Sequence, residues 1–206
     1  YILAFGSSYR SHKVLDLIAW NKELAHIHGA FVKDLGSQLE IGCTLKNNGK
    51  RLFRVNQQYQ QRLSDCIGQV CLVFFSSREL QMILGSPSER RRFLDMLLVQ
   101  VYPRYYKVLQ TYLKIVQQRN HLLRNLKSFH FLSEANREQL EAWNEQLAEY
   151  GAFIISKRAE ICEALQEPLQ KIHSEIAHDE ELVQLKYQTS LLEFSPLSLS
   201  EIQTSF

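Results

Sequence analysis

The chain has 206 residues, 45% of them hydrophobic and 22% charged, with a formal net charge of +2. That length supports one domain or two small ones around a sizeable core, and the near-neutral balance by itself argues for no particular partner. The four cysteines (Cys43, Cys66, Cys71 and Cys162) are scattered without a Cys-x-x-Cys pair. This argues against a disulfide framework or a zinc site and fits reduced thiols in a cytoplasmic setting. No apolar run approaches the roughly 20 residues of a membrane span, so no membrane association is expected.

The chain opens on Tyr1-Ile2-Leu3-Ala4-Phe5-Gly6, which reads as the last turn of a helix closed by a glycine. With the polar stretch 195–200 at the other end, it reads as an excerpt of a larger protein. Ala25 to Val32 is a short apolar segment. Leu39, Ile41, Cys43 and Leu45 alternate with polar or small residues, the pattern of a half-buried strand. Asn47-Asn48-Gly49 predicts a hairpin turn, and Phe53 and Val55 resume the alternation after it. Residues 58–67 suit a short helix. The continuous apolar run Val70 to Phe75 suits a strand buried on both faces.

After Phe75 the period becomes helical. Ser86 and Pro87 fit the N-cap and first turn of a helix carrying Phe93, Leu94, Leu97, Leu98 and Val101. Pro103 separates it from a second helix, with Tyr105, Leu109, Tyr112, Val116 and Leu123 on one face. Ser133 caps a third, whose stripe runs Leu140, Trp143, Leu147, Tyr150, Ile154, Ile161 and Leu165. Pro168 should kink or end it, and residues 182–192 suit a returning strand. The fold class expected is α+β: a small antiparallel sheet followed by long antiparallel helices. The expected division is 1–85 for the sheet lobe, 86–192 for the helical lobe and 193–206 for a linker or tail.

Charge is unevenly distributed. Residues 86–130 hold nine cations and two anions, for a net +7, whereas residues 131–181 hold four cations and twelve anions, for a net −8. Two readings stay open: opposite charges fix the register of paired helices, or part of the basic helix tracks a phosphate backbone. Arg90, Arg91 and Arg92 are consecutive on a helix and point in different directions, so they cannot all serve one phosphate. His26 and His28 share a strand face at a spacing that metal sites use, but no third ligand is evident. No catalytic triad is apparent, and no catalytic or metal residue is assigned.

Five segments in order carry a family resemblance. Residues 85–95, GSPSERRRFLD, match the pattern G-G-P-x-x-R-R-x-F-L-D of the RecF family. Before them, Phe75 to Leu80 resemble F-S-P-E-D-L, and Lys50 to Asn56 resemble K-R-x-x-x-V-N-G. After them, Gln117 to Arg124 are similar to K-Q-R-N-x-L-L-R, and Trp143 to Ala148 to W-D-x-x-L-A. Gln57 stands where the family has a glycine, Ser77 where it has a proline, and Lys13 where it has an arginine.

The resemblance implies one part of an ATPase related to the heads of SMC proteins. Its phosphate loop (G-x-x-x-x-G-K-S/T), signature and Walker B motifs are absent from these 206 residues. ATP and magnesium are therefore implied for the longer protein, and neither binding nor hydrolysis is expected of this stretch alone. Arg10, Lys13, Ser76, Ser77, Arg78 and Glu79 are implied as nucleotide-proximal. Arg91, Arg92, Lys114, Arg119, Arg124 and Lys127 are candidates for DNA contact. The implied partners are DNA at single-strand/double-strand junctions, RecO and RecR, and a second copy joined through ATP. The implied roles are replication, recombinase loading, repair and SOS induction. A coiled-coil interaction module without a DNA role is the rival reading.

Overall fold

The computed structural model describes residues 1–11, 13–34, 36–126, 133–177 and 182–189, without the side chain of Arg78. They form two compact units, Tyr1–Pro103 and Arg104–Phe206. The sequence changes from strand to helix period near residue 85, but the first long helix still belongs to the sheet-bearing unit. The segment 193–206 lies outside the described residues.

The first unit opens with helix α1 (Ile2–Phe5), closed by Gly6 at φ 68°. A Cβ there would meet Leu63 Cδ1 at 2.3 Å, so the position requires glycine both for its backbone and for its neighbour. Strands β1 (Leu24–Val32), β2 (Gln38–Lys46), β3 (Arg51–Val55) and β4 (Gln58–Gln60) follow. They pair in sequence order as an antiparallel meander.

The alternation in β2 sends Leu39, Ile41, Cys43 and Leu45 to the buried face. Cys43 and Leu45 join Val14, Phe53 and Cys66 in one core, flanked by Ile2, Leu3 and Leu63. Full burial of each large aliphatic side chain contributes about 1.5–3 kcal/mol, which makes this face the main support of the sheet. At the β2–β3 turn Gly49 has φ 82°, and Lys46 N–H donates to Lys50 C=O at 2.9 Å, as the Asn-Asn-Gly sequence predicts.

Three expectations change. Residues 58–67 are not a helix: β4 occupies 58–60 and a 3-10 turn occupies Leu63–Asp65. The reason is the preceding turn, where Asn56 (φ 46°) and Gln57 (φ 65°) both take the left-handed region that a two-residue hairpin needs. Val70 to Phe75 is not a strand either. Val73 is 95% exposed and Phe75 85%, and no described strand pairs with the run. An apolar run becomes a strand only where neighbours accept its peptide groups.

A 3-10 turn (Ser77–Leu80), α2 (Gln81–Leu84) and α3 (Pro87–Val101) complete this unit. Ser86 is the N-cap of α3 by backbone conformation, and Pro87 opens it as expected.

The second unit is a helical hairpin of α4 (Tyr105–Leu126) and α5 (Glu134–Ala177). Ser133 Oγ accepts the N–H of Asn136, so it caps α5 as predicted. Tyr105, Val108 and Ile115 are buried on α4, and Gly151, Ala152, Ile154 and Cys162 on α5. Small residues at 151–152 let the helices approach closely. Tyr105 meets Phe153 with ring centroids 6.3 Å apart, while Arg119 meets Asn144. The partner number falls as α4 advances, so the helices are antiparallel.

At Pro168, expected to kink or end the helix, α5 runs on to Ala177. The expected strand at 182–192 is also absent over 182–188, and 190–192 lie outside the described residues. Instead, two side chains of α5 hold the segment. Gln166 Nε2 donates to Val183 C=O (2.8 Å), Gln166 Oε1 accepts Leu185 N–H (2.7 Å), and Gln170 Oε1 accepts Val183 N–H (3.0 Å).

Candidate functional site

The sheet unit holds a cavity of about 550 Å³. Its aromatic wall comes from α1 and the loop after it. Tyr1 stacks near Phe5 (4.8 Å) and Phe74 (5.7 Å), and Tyr9 lies 4.4 Å from Phe74, centroid to centroid. Its other wall is the inward side of α3, where Arg92, Phe93, Met96 and Gln100 line it. Gln100 Oε1 accepts the N–H of Leu72 at 2.6 Å, and its Nε2 donates to Met96 C=O. A single side chain from α3 therefore anchors the extended run that the sequence suggested as a strand.

At the end of that run sits a tight polar turn. Ser76 N–H and Ser76 Oγ both donate to Glu79 Oε2, and Glu79 N–H donates to Ser76 C=O. This is a capping-box arrangement, in which a carboxylate three residues on reaches back to the first N–H. Tyr9 hydroxyl is hydrogen-bonded to Ser76 Oγ. Ser76 and Glu79 are thus brought together, with Tyr9 as a third member. Ser77 is exposed beside them, and the side chain of Arg78 lies outside the described residues.

Tyr9 also carries the loop of Arg10 and Lys13 toward this turn. Ser8 Oγ accepts the N–H groups of Arg10 and Ser11, and Ser11 Oγ accepts that of Lys13. Ser11 hydroxyl in turn donates to Asp16. The loop backbone is ordered by its own serines, while the Arg10 and Lys13 side chains stand exposed.

The arginine triplet separates by direction, as three consecutive helical positions must. Arg90 Nη1 donates to Gly85 C=O at 3.1 Å, an internal cap. Arg92 lines the cavity beside Tyr1, whose hydroxyl donates to Met96 Sδ at 3.6 Å. Burial pushes the Tyr1 phenol above its ordinary value, and the positive charge of Arg92 opposes that shift. Arg91 is exposed with no partner among the described residues.

On α4, Lys114 and Arg124 are exposed and unpartnered among the described residues, whereas Arg119 Nε donates to Asn144 Oδ1 at 2.8 Å. Lys127 lies outside the described residues. No ion pair among the described residues joins α4 to α5, and within α5 Lys157 pairs with Glu160. Lys107 and His121, each seven residues from Lys114, extend the exposed basic face. Sequence reasoning passed over both, although heptad spacing marks them. It also missed Tyr9, Gln100, Gln166 and Gln170, whose roles arise from long-range contacts that leave no local signal.

For a nucleotide the fit is incomplete within this chain. No glycine-rich phosphate loop is present in the sequence. Ser76 and Glu79 satisfy one another, and no group of three His, Cys, Asp or Glu side chains among the described residues could hold a metal. No helix among them is long and apolar enough to cross a membrane.

The chain matches no protein-family profile. Along its full length it is similar to curated proteins named DNA replication and repair protein RecF. It is 35% identical over 206 residues to that of Bacillus subtilis (strain 168), and 38% identical over 207 residues to that of Halalkalibacterium halodurans. In both cases 100% of this chain aligns with 54% of the relative, so the chain spans about half the length of these proteins. Two solved structures, described as the recombination mediator protein RecF of the RecFOR pathway with ATP and with ATPrS, match with a TM-score of 0.89. They are 27% identical and align with 99% of this chain and 53% of their own.

Proposed function

We infer, from a chain that belongs to the RecF family over the half of that family's length it spans, that it serves in DNA replication, recombination and repair. The observation that carries this reading is the match in both sequence and fold along every part of the chain. The helical hairpin alone would suit an interaction module, but the sheet unit and the turn at Ser76 would then go unexplained.

We propose that the sheet unit is part of an ATP-binding head completed by sequence outside this chain. The turn Ser76, Ser77, Arg78 and Glu79 and the loop of Arg10 and Lys13 would lie near the nucleotide and its magnesium ion. Support comes from the hydrogen bond between Tyr9 and Ser76, which ties the two segments together. Lysine at position 13 offers a point charge where arginine would offer a fork, so any phosphate contact there is less directional.

DNA contact is assigned to the exposed cations Arg91, Lys114 and Arg124. Arg92 and Arg119 are assigned instead to Tyr1 and Asn144. Nucleotide-linked pairing with a second copy, RecO and RecR as partners, recombinase loading at single-strand/double-strand junctions, SOS induction and a cytoplasmic location belong to the same proposal. So does the division into lobes at residues 85/86.

The test is duplex binding by fluorescence anisotropy across a salt series, with the protein at the length its gene encodes. Lys114→Glu and Arg124→Glu should each weaken binding and reduce the slope of log affinity against log salt by about one, with helicity unchanged. Binding that ignores both substitutions and salt would favour the interaction-module reading.

A further inference from the structure

Tyr9 and Ser76 are 67 residues apart in sequence, yet their hydroxyls are hydrogen-bonded. The Tyr9 ring is held in place by Phe74, 4.4 Å away, and by Tyr1, 5.8 Å away, centroid to centroid. Aromatic pairs at such separations hold a ring without help from its polar tip. The hydroxyl therefore adds direction to a ring that packing already places.

The sense of its hydrogen bond follows from a proton count. A serine hydroxyl has one proton and two acceptor lone pairs. The Ser76 proton goes to Glu79 Oε2 at 2.5 Å, and the Ser76 N–H goes to the same oxygen at 2.8 Å. Tyr9 is then the donor to Ser76. The result is a one-way chain, from Tyr9 O–H to Ser76 O–H to the Glu79 carboxylate, in which each bond polarises the next. With one lone pair engaged by Tyr9, the Ser76 proton is aimed at Glu79, and the carboxylate is held by two donors.

On its other side Tyr9 belongs to an ordered loop. Ser8 Oγ accepts the N–H groups of Arg10 and Ser11, while Ser11 Oγ accepts that of Lys13 and its proton goes to Asp16. Tyr9 lies inside this set of bonds, between Ser8 and Arg10. A shift of its side chain is therefore passed to the Arg10 backbone. The Arg10 and Lys13 side chains are exposed, so the segment that responds carries two positive charges.

We propose that Tyr9 is a positioning residue whose hydroxyl aims Ser76 and Glu79 and couples their turn to the cationic loop of Arg10 and Lys13, so that a change at either segment is transmitted to the other. A group that draws the Glu79 carboxylate away from Ser76 alters the acceptor that Tyr9 meets, and the loop follows. An anion held by the two cations acts through the same chain in reverse, because coupling between sites is reciprocal. The identity of the ligand that drives it rests on the nucleotide reading, whereas the coupling rests on these hydrogen bonds alone.

The experiment reads amide hydrogen exchange in the protein at its encoded length, first without ligand and then with ATP and magnesium. Tyr9→Phe keeps the ring and removes only the hydroxyl. Without ligand it should speed exchange at Arg10, Ser11, Ser76 and Glu79 by about threefold to tenfold, the scale of one hydrogen bond. Ser76→Ala should speed Arg10 and Ser11 as much, although it touches neither, while the amides of β2 stay unchanged. Ser76→Thr keeps a hydroxyl and should restore the original rates. The double variant of Tyr9→Phe and Ser76→Ala should be no faster than either single, because both remove the same link. With ATP and magnesium, exchange in the two segments should slow together in the wild type and separately in Tyr9→Phe. Unchanged exchange at Arg10 and Ser11 in Ser76→Ala overturns the proposal, as do additive effects in the double variant, whether or not nucleotide binds. A wild type that ignores ATP while the ligand-free coupling holds overturns the nucleotide reading and leaves the role of Tyr9 standing.

Discussion

The sheet and the helical hairpin of this chain bury their apolar residues differently. In the sheet, one face of β2 concentrates Leu39, Ile41, Cys43 and Leu45 at 3% exposure or less, and Cys43 and Leu45 pack with Val14, Phe53 and Cys66 in one cluster. In the hairpin the buried residues are strung along a seam, with Tyr105 and Ile115 on one helix and Ala152, Ile154 and Cys162 on the other. A concentrated core is cooperative and sensitive to a single truncation. A seam spreads the same area over a longer element and leaves more half-buried positions. The contrast also separates the proposed functions, since the linked turn and loop belong to the sheet unit and linear charge to the hairpin.

The largest expected effect tests the concentrated core. Leu45→Ala should cost about 2–5 kcal/mol, seen as lost hydrogen-exchange protection in β2 and β3. Tyr112→Ala, a half-buried position of the seam, should cost clearly less, read by urea unfolding followed at Trp143. Equal costs would end the distinction.

Alkali should also single out the sheet. Burial pushes the Cys43 and Cys66 thiols from their ordinary 9.0 up to about 11. The folded form keeps both protons to higher pH than the unfolded chain does. The stabilisation is therefore complete below about pH 9 and is lost as pH rises through 11. Unfolding midpoints in urea should hold to pH 8 and fall between 9 and 11. Exposed Cys71 should react with a thiol reagent first at neutral pH, and labelling of Cys43 ahead of it would contradict the burial.

Smaller effects concern the connections. Glu79→Gln should loosen the turn at Ser76 by about 0.5–2 kcal/mol, the range of a lost cap. Amide exchange at Ser76 and Glu79 would register it. Gln166→Leu removes two hydrogen bonds to the extended segment, each contributing about 0.5–1.5 kcal/mol. The amides of Val183 and Leu185 should then exchange faster while α5 stays protected. The smallest effect has the opposite sign. Gln57→Gly should stabilise the β3–β4 hairpin by about 0.5–1 kcal/mol, because Gln57 is held at φ 65° where a side chain is strained. A lower melting temperature would show that the Gln57 side chain does something glycine cannot replace.

Much of this architecture is written in local order. The alternation from Leu39 to Leu45 fixes which face of β2 is buried, because strand side chains reverse at every residue. The Asn-Asn-Gly turn fixes where the hairpin closes. Ser133, Pro87 and the spacing of the apolar stripes fix the helices, because capping and 3.6-residue periodicity act within a few residues. The motif at 85–95 was enough to point to the family, yet its role here is an inner cap at Arg90, a cavity contact at Arg92 and the seed of α3.

Only the tertiary structure decided the rest. Whether Val70 to Phe75 is a strand depends on partners for its peptide groups, and Gln100, 28 residues beyond Leu72, supplies one. Whether residues 58–67 coil or pair depends on two residues taking positive φ. The extended segment after α5 depends on Gln166 and Gln170, and the turn at Ser76 on Tyr9. Apart from that local turn, each is a hydrogen bond between positions distant in sequence. Periodicity records which side of an element is apolar, but it carries no information about which polar group will meet a given backbone atom.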